Sequence, residues 1–380
     1  MHLERRSFLT LLAAAPAAFP QKSSSTMLVY FGTYTRKTSK GVYVAKLDTA
    51  TGKVSEPELA GEVSNPSFVT IHPNQKYLYA VSEMGGGGAQ GGGVTAFSID
   101  KPSGKLTRLN QVSSKGSGPC HLNVDKTGRT LVVANYGSGS VAAMPVKPDG
   151  SLGDPVGFIQ HAGSSVDKRR QAGPHAHSVN YSANNKFVIA ADLGLDQVLV
   201  YKVDPATASL TPNNPPFAKV KPGGGPRHFT FHPKGKFAYV INEMGQAVTA
   251  FAWNAGKGAL TEIQHISTLP DGVTVANNTT AEVVAHPNGK FLYGSNRGHN
   301  SIAVFSIAKD GKLTRVENAP TQGEIPRNFA IDPSGKWLFA ANQNTDNVVI
   351  FAIDQATGKL SPTGQQLKVD VPVCVRFAAL

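Results

Sequence analysis

From residue 68 onward the chain sets short apolar runs between tight polar turns, and one turn keeps returning. The stretch Ile71 to Tyr79, with His72-Pro73 at its head and Lys76 before the second run, reappears as Phe231 to Tyr239, Ala285 to Tyr293 and Ile331 to Phe339. Fainter copies surround Asp125 to Arg129 and Ser182 to Lys186. Each copy reads as a β-hairpin in which Gly or Asn accepts a positive φ before the second strand. A third apolar run follows each hairpin: Gly93 to Ile99, Ser140 to Val146, Gln197 to Val203, Ala247 to Trp253, Ser301 to Ile307 and Asn347 to Ile353. After a turn rich in Asp, Gly and Lys comes a fourth. Four strands in a unit of about 50 residues are the pattern of a propeller blade.

Six such units are complete, and the two ends supply a seventh. Leu28 to Thr33, Gly41 to Leu47 and a strand near Glu58 lack an opening strand, and Val371 to Phe377 supplies it. The sequence therefore predicts an all-β chain. It is a seven-bladed β-propeller with four antiparallel strands per blade over residues 27–380, its ring closed by the C-terminal strand joining the N-terminal blade and leaving no open sheet edge.

Ahead of the repeat, Arg5-Arg6-Ser7-Phe8-Leu9 introduces an apolar run ending near Phe19. A charged start, a short apolar middle and small residues beyond it make residues 1–20 a signal peptide, with 21–26 a linker. The run is too short to span a bilayer. The paired arginines resemble a twin-arginine signal, and a Sec-type signal stays open. The mature chain is expected to be exported, periplasmic or extracellular, without a membrane span, and a monomer.

The formal net charge is +12. The cations are scattered, with no zinc-finger spacing or basic heptad, so no nucleic-acid partner is expected. Cys120 and Cys374 fall on strands of non-neighbouring blades, and neither a disulfide nor a cysteine metal site is expected. The glycines of Gly85 to Gly93 match G-x-G-x-x-G but precede a strand rather than a helix, so the dinucleotide reading fails.

The repeat lets equivalent positions be compared. Nine residues before each basic anchor (Lys76, Arg129, Lys186, Lys236, Lys290, Lys336) stand Ser67, Cys120, His177, Arg227, Ala281 and Arg327. Eight before stand Phe68, His121, Ser178, His228, Glu282 and Asn328. Seven after stand Glu83, Tyr136, Leu193, Glu243, Arg297 and Gln343. The start of one strand lies beside the end of the next in an antiparallel hairpin, so these sets share one rim of the channel. Six after the anchor the residues are uniform (Ser82, Asn135, Asp192, Asn242, Asn296, Asn342), as blade geometry demands. The rim sets instead vary from blade to blade and are rich in His, Arg and Glu, as an asymmetric ligand demands.

Converging Arg227, Arg297 and Arg327 call for carboxylates or an anionic ligand, and Glu243 and Glu282 answer part of that charge. The surplus favours a small anionic substrate: a carboxylate, a phosphate or the oxyanion of acyl transfer. His177 and Glu243 are the proton-transfer candidates, the latter if burial raises it toward neutrality. His121, Tyr136, His228, Glu282, Arg297 and Gln343 are the candidate substrate-binding residues. His175 and His177 could share a metal from one strand face, but no third ligand has a clear spacing, and no metal is expected. His72, His232 and His286 belong to the turns and are expected to be structural.

Gly225-Pro226-Arg227-His228 with Asn242-Glu243, and Ile325-Pro326-Arg327, together resemble the seven-bladed propeller lactonase family, as do Cys120-His121, His177-Ser178 and Ser295-Asn296-Arg297. That family includes propeller-type 6-phosphogluconolactonases and fungal carboxy-muconate lactonising enzymes. The resemblance implies hydrolysis, or reversible closing, of the lactone of an acidic substrate without metal or cofactor. It marks His177, Arg227, Glu243 and Arg327 as the catalytic set. A phosphogluconolactone is made in the cytoplasm, so an exported chain would meet a different lactone, such as that of a sugar acid. The rival readings are a non-catalytic propeller that binds an anionic small molecule or an envelope partner, and a muconate-type lactonising cycloisomerase.

Overall fold

In the computed structural model, which describes residues 26–84 and 92–380, seven four-stranded antiparallel sheets carry the chain. They are the blades of a propeller. The expected signal peptide and linker, but for Thr26, and most of the glycine run lie outside the described residues. Third strands begin where the apolar runs begin: Gly93–Ile99, Ser301–Ile307 and Asn347–Ile353 match the expected runs end to end. Blade 1 is built from both termini. Pro372–Ala379 pairs antiparallel with Thr26–Thr33, placing Val29 opposite Phe377 and closing the ring.

Apolar side chains pack chiefly between blades. One cluster joins Val29 and Phe31 of blade 1 to Phe339 and Ile350 of blade 7, and another joins Phe187 of blade 4 to Phe251 of blade 5. Polar clasps register the contacts. His72 Nδ1 accepts the Asn74 N–H, which leaves Nε2–H to donate to the Gly128 carbonyl of the next blade at 2.9 Å. His232 and His286 do the same to Gly289 and Gly335, so all three histidines are structural, as expected. The hydroxyls of Tyr30, Tyr79, Tyr239 and Tyr293 donate to Gly104, Gly150, Gly311 and Gly358 of their following blades. The uniform asparagines tie their turns: Asn242 Nδ2 donates to Ala247 and Thr249, and Asn342 Nδ2 to the Thr321 carbonyl.

One irregularity recurs at the start of the innermost strands. Pro226 faces Asn242 and His228 faces Ile241, so Arg227 is one residue too many. The same bulge falls at Cys120, His177 and Arg327. In blade 6 Ala281 and Glu282 together oppose Ser295, and in the closing strand Val373 is the extra residue. A regular strand points successive side chains to opposite faces, whereas a bulge re-aims one of them. Here neighbours such as Arg227 and His228 both reach the central channel.

Candidate active site

The bulges and the ends of the second strands surround a chamber of about 190 Å³, lined by Glu83, Cys120, Tyr136, Arg170, His177, Glu243, Arg297 and Arg327. Below it a narrow extension of about 10 Å³ is walled by Arg227, His228, Phe68 and Val373 and shares His177 and Arg327 with the chamber. All four residues of the expected catalytic set thus meet on one channel axis, together with Tyr136, Arg297 and His228. His121 and Glu282 lie behind the wall. The His121 ring rests on Phe68 with centroids 3.9 Å apart, and Glu282 bonds His228. Gln343 does not reach the chamber; it is partly exposed and turned toward Asn344.

Glu243 is the electrostatic centre. Its carboxylate takes Arg170 Nη2 at 2.8 Å on Oε1, and Arg227 Nε at 3.0 Å and Arg297 Nη2 at 2.9 Å on Oε2. Burial pushes its pKa up, but Arg297, Arg227 and the Arg170 hydrogen bond outweigh burial and hold it well below the usual carboxylate range. The expected rise toward neutrality is therefore reversed: three guanidinium groups overcome desolvation. A carboxylate so held is a poor base. It anchors the arginines instead.

Arg170 is the contributor that repeat comparison missed. It comes from residues 161–175, the longest of the connections between the last strand of one blade and the first of the next. That connection is pinned by Gln171, whose Nε2 donates to the Leu193 carbonyl and to buried Asp196. The only signal in the sequence is the basic run Lys168-Arg169-Arg170 itself. Arg170 also reaches the Tyr136 hydroxyl at 3.2 Å, and Tyr136 stacks on His175 with centroids 4.6 Å apart. His175 Nδ1 bonds the Tyr136 carbonyl, so this ring braces Tyr136.

Arg327 is different from the other arginines. Its guanidinium lies over the Tyr34 ring, 5.5 Å from the centroid, and no protein group among the described residues hydrogen-bonds it. Tyr34 in turn donates its hydroxyl to Glu83 at 3.0 Å. Arg327 remains cationic: burial opposes its charge, but Tyr34, Glu83 and Glu243 overcome burial and raise its pKa. Its donors therefore face the chamber unspent.

His177 is held neutral by burial and by the neighbouring Arg227 charge, both of which lower its pKa well below the ordinary histidine value. Its ring sits 3.8 Å from the Cys120 thiol through Nδ1 and edge-on to both Tyr136 and His228. Burial raises the Cys120 pKa far above the ordinary thiol range, and both cysteines are free. Cys120 is a small buried wall residue, not an activated nucleophile.

Residues 28–377 match the family model described as lactonase, 7-bladed beta-propeller. The chain belongs to this family. A 6-phosphogluconolactonase of Bacillus subtilis is 40% identical over 349 residues, covering 92% of this chain and 97% of the relative. Among solved structures, a putative 6-phosphogluconolactonase from Bacteroides fragilis superposes with a TM-score of 0.87 at 37% identity, covering 95% of this chain and all of the other. A periplasmic gluconolactonase of Pseudomonas aeruginosa also has a TM-score of 0.87, at 35% identity, covering 93% of this chain and 99% of that one. Membership carries the reaction class with it: the propeller lactonase is an enzyme, a carboxylic-ester hydrolase of the lactonase type, as the sequence indicated.

Proposed function

We propose that the enzyme hydrolyses the lactone of a sugar acid in the channel chamber, with Arg327 receiving the oxyanion that develops on the lactone carbonyl. The observation that carries this reading is the unspent Arg327 guanidinium, held beside a neutral His177 in a chamber whose other arginines are committed to Glu243. A partly buried cation with free donors binds a carboxylate, a phosphate or a developing oxyanion more strongly than it binds a neutral group. Arg297 and Tyr136 line the same wall and would contact the sugar. Glu243 keeps Arg170, Arg227 and Arg297 in place and so shapes the field felt by the carbonyl. His177 would carry the proton at the departing ring oxygen.

The leader supports a further choice of substrate. Residues 1–20 fit a signal peptide, and one similar structure is a periplasmic gluconolactonase. An exported enzyme would meet a sugar-acid lactone in preference to a cytoplasmic phosphorylated one. Gluconolactone and 6-phosphogluconolactone, offered to the mature chain in weakly buffered indicator solution, test both points. Faster acid release with gluconolactone is the expected outcome; release no faster than the spontaneous rate with every lactone tried overturns the reading. Arg327→Ala should lower kcat/KM by ~10²–10³-fold, the usual cost of an oxyanion donor.

A further inference from the structure

His228 has a carboxylate behind it that no other channel histidine has. Its Nδ1 lies 2.9 Å from Glu282 Oε1. The same oxygen accepts the Val283 N–H at 3.0 Å, and the Asn328 amide donates to Oε2. Asn328 is itself fixed, because its Oδ1 accepts the Val375 N–H at 2.8 Å. A carboxylate with these donors is an acceptor, so the proton on His228 sits on Nδ1. Nε2 is the bare nitrogen, and no protein group among the described residues bonds it. His228 walls the narrow extension beneath the chamber, whose volume of about 10 Å³ suits one water molecule. The same wall carries His177, with ring centroids 5.3 Å from those of His228.

His177 lacks such support, since its Nδ1 neighbour is a thiol. His121 accepts the Val179 N–H on Nδ1, faces Phe68 and lines neither cavity. Glu243 is committed to three arginines. A nitrogen acceptor at the cavity, a carboxylate on the opposite nitrogen and a third group fixing that carboxylate form the arrangement by which buried histidines act as general bases.

We propose that His228 is the general base of this propeller lactonase, that Glu282 and Asn328 are its positioning residues, and that the extension below the chamber seats the attacking water. The inference rests on the lactone-hydrolase reading and assigns a step within it. The water oxygen bonds the lactone carbonyl carbon as one water proton passes to His228 Nε2. The bond between that carbon and the ring oxygen then breaks. The ring oxygen takes the proton that His228 Nε2 received, carried across by His177, which is neutral before and after the transfer. The second water proton stays on the new carboxyl group and is lost to solvent, so the sum is one lactone and one water giving one hydroxy acid.

The groups facing His228 set its pH behaviour. Glu282 favours its protonation. Arg227, Arg376, Arg327 and Arg297 oppose it, as would a charged His121 or His177. Burial comes first among the causes, and the arginines add to it, holding the ring well below the ordinary histidine pKa. Burial raises the pKa of Glu282 while that of His228 is lowered, so the two titrate as a pair, and activity should persist into mild acid and fall as that pair takes up a proton.

The test uses the mature chain and whichever lactone it turns over. His228→Gln should lower kcat by ~10²–10³-fold, within the range for loss of a general base, with KM changed less than about threefold. Glu282→Gln keeps an acceptor for Nδ1 but removes the charge. It should lower kcat by about tenfold or more and move the acid limb of the kcat profile to lower pH, a shift that a packing defect would not produce. Parental kcat in His228→Gln overturns the proposal. If that variant does not fold, an unshifted acid limb in Glu282→Gln overturns it instead. A parent that hydrolyses no lactone sinks the functional reading; a parent that does, beside an unimpaired His228→Gln, sinks only this assignment.

Discussion

Glu243 decides the character of the site by what surrounds it. A lone buried carboxylate would drift toward protonation, but one held by three guanidinium groups stays ionised and makes those groups immobile. Removing its charge leaves Arg227, only 2% exposed, without its ion-pair partner. Glu243→Gln should therefore cost about 3–5 kcal/mol of stability as well as activity. The pH dependence follows from the lowered native pKa. The stabilisation by Glu243 is fully present above the unfolded carboxylate's pKa and is lost as pH falls through the lower native value. Denaturant titrations of parent and variant should differ by a constant amount from pH 8 down to about pH 5.5 and converge below that. A gap that instead closes between pH 8 and 6 would mean that the carboxyl is not held in its ionised form. Arg327 offers the contrast: with no hydrogen-bond partner among the described residues to lose, Arg327→Ala should cost activity with a smaller loss of melting temperature than Arg227→Ala, which breaks both the Glu243 pair and a bond to the Ala281 carbonyl.

At the scale of the strand, the bulge joins the fold to the site. The repeat made the blade pattern legible, because one hairpin turn recurs with its His, Pro and Lys in register, and each blade must solve the same packing problem. It also placed the rim residues correctly at strand starts. The sequence could not say why positions eight and nine before each anchor both matter, since strict alternation would send them to opposite faces. The extra residue at Cys120, His177, Arg227 and Arg327 resolves this; a proline stands directly before it at Cys120, Arg227 and Arg327, a local mark of a bulge that is missing at His177. Arg170 was illegible for a different reason, being carried by a connection whose length no other blade repeats, so that its positions have no equivalents to be compared with. Gln343 shows the opposite error: sharing a rim position does not ensure that a side chain turns inward. The clasps between blades are testable without touching the site. Gly128 has φ +75° and an added Cβ would lie 2.2 Å from His72 Nε2. Gly128→Ala should cost about 1–3 kcal/mol through backbone strain and the displaced clasp, seen as a lower denaturation midpoint, while kcat stays at the parental value.

At the scale of the whole molecule, ring closure and chemistry share one strand. Pro372–Ala379 completes blade 1, and Val375 within it donates its N–H sideways to Asn328 of blade 7. Asn328 passes that constraint to Glu282 of blade 6, which holds His228 of blade 5. The last strand of the chain is thus connected by three hydrogen-bonded contacts to a ring nitrogen at the channel, across residues that sequence order keeps far apart. Val375→Pro removes the donor at the head of this chain and strains the closing strand. It should lower melting temperature and kcat together, whereas Gly128→Ala, on the far side of the hairpins, should lower only the first. Measuring both quantities on both variants separates a ring that merely supports the site from one whose closure sets it: a Val375→Pro enzyme that is less stable yet turns over at the parental kcat would show that the closing strand holds the ring and has no part in aligning His228.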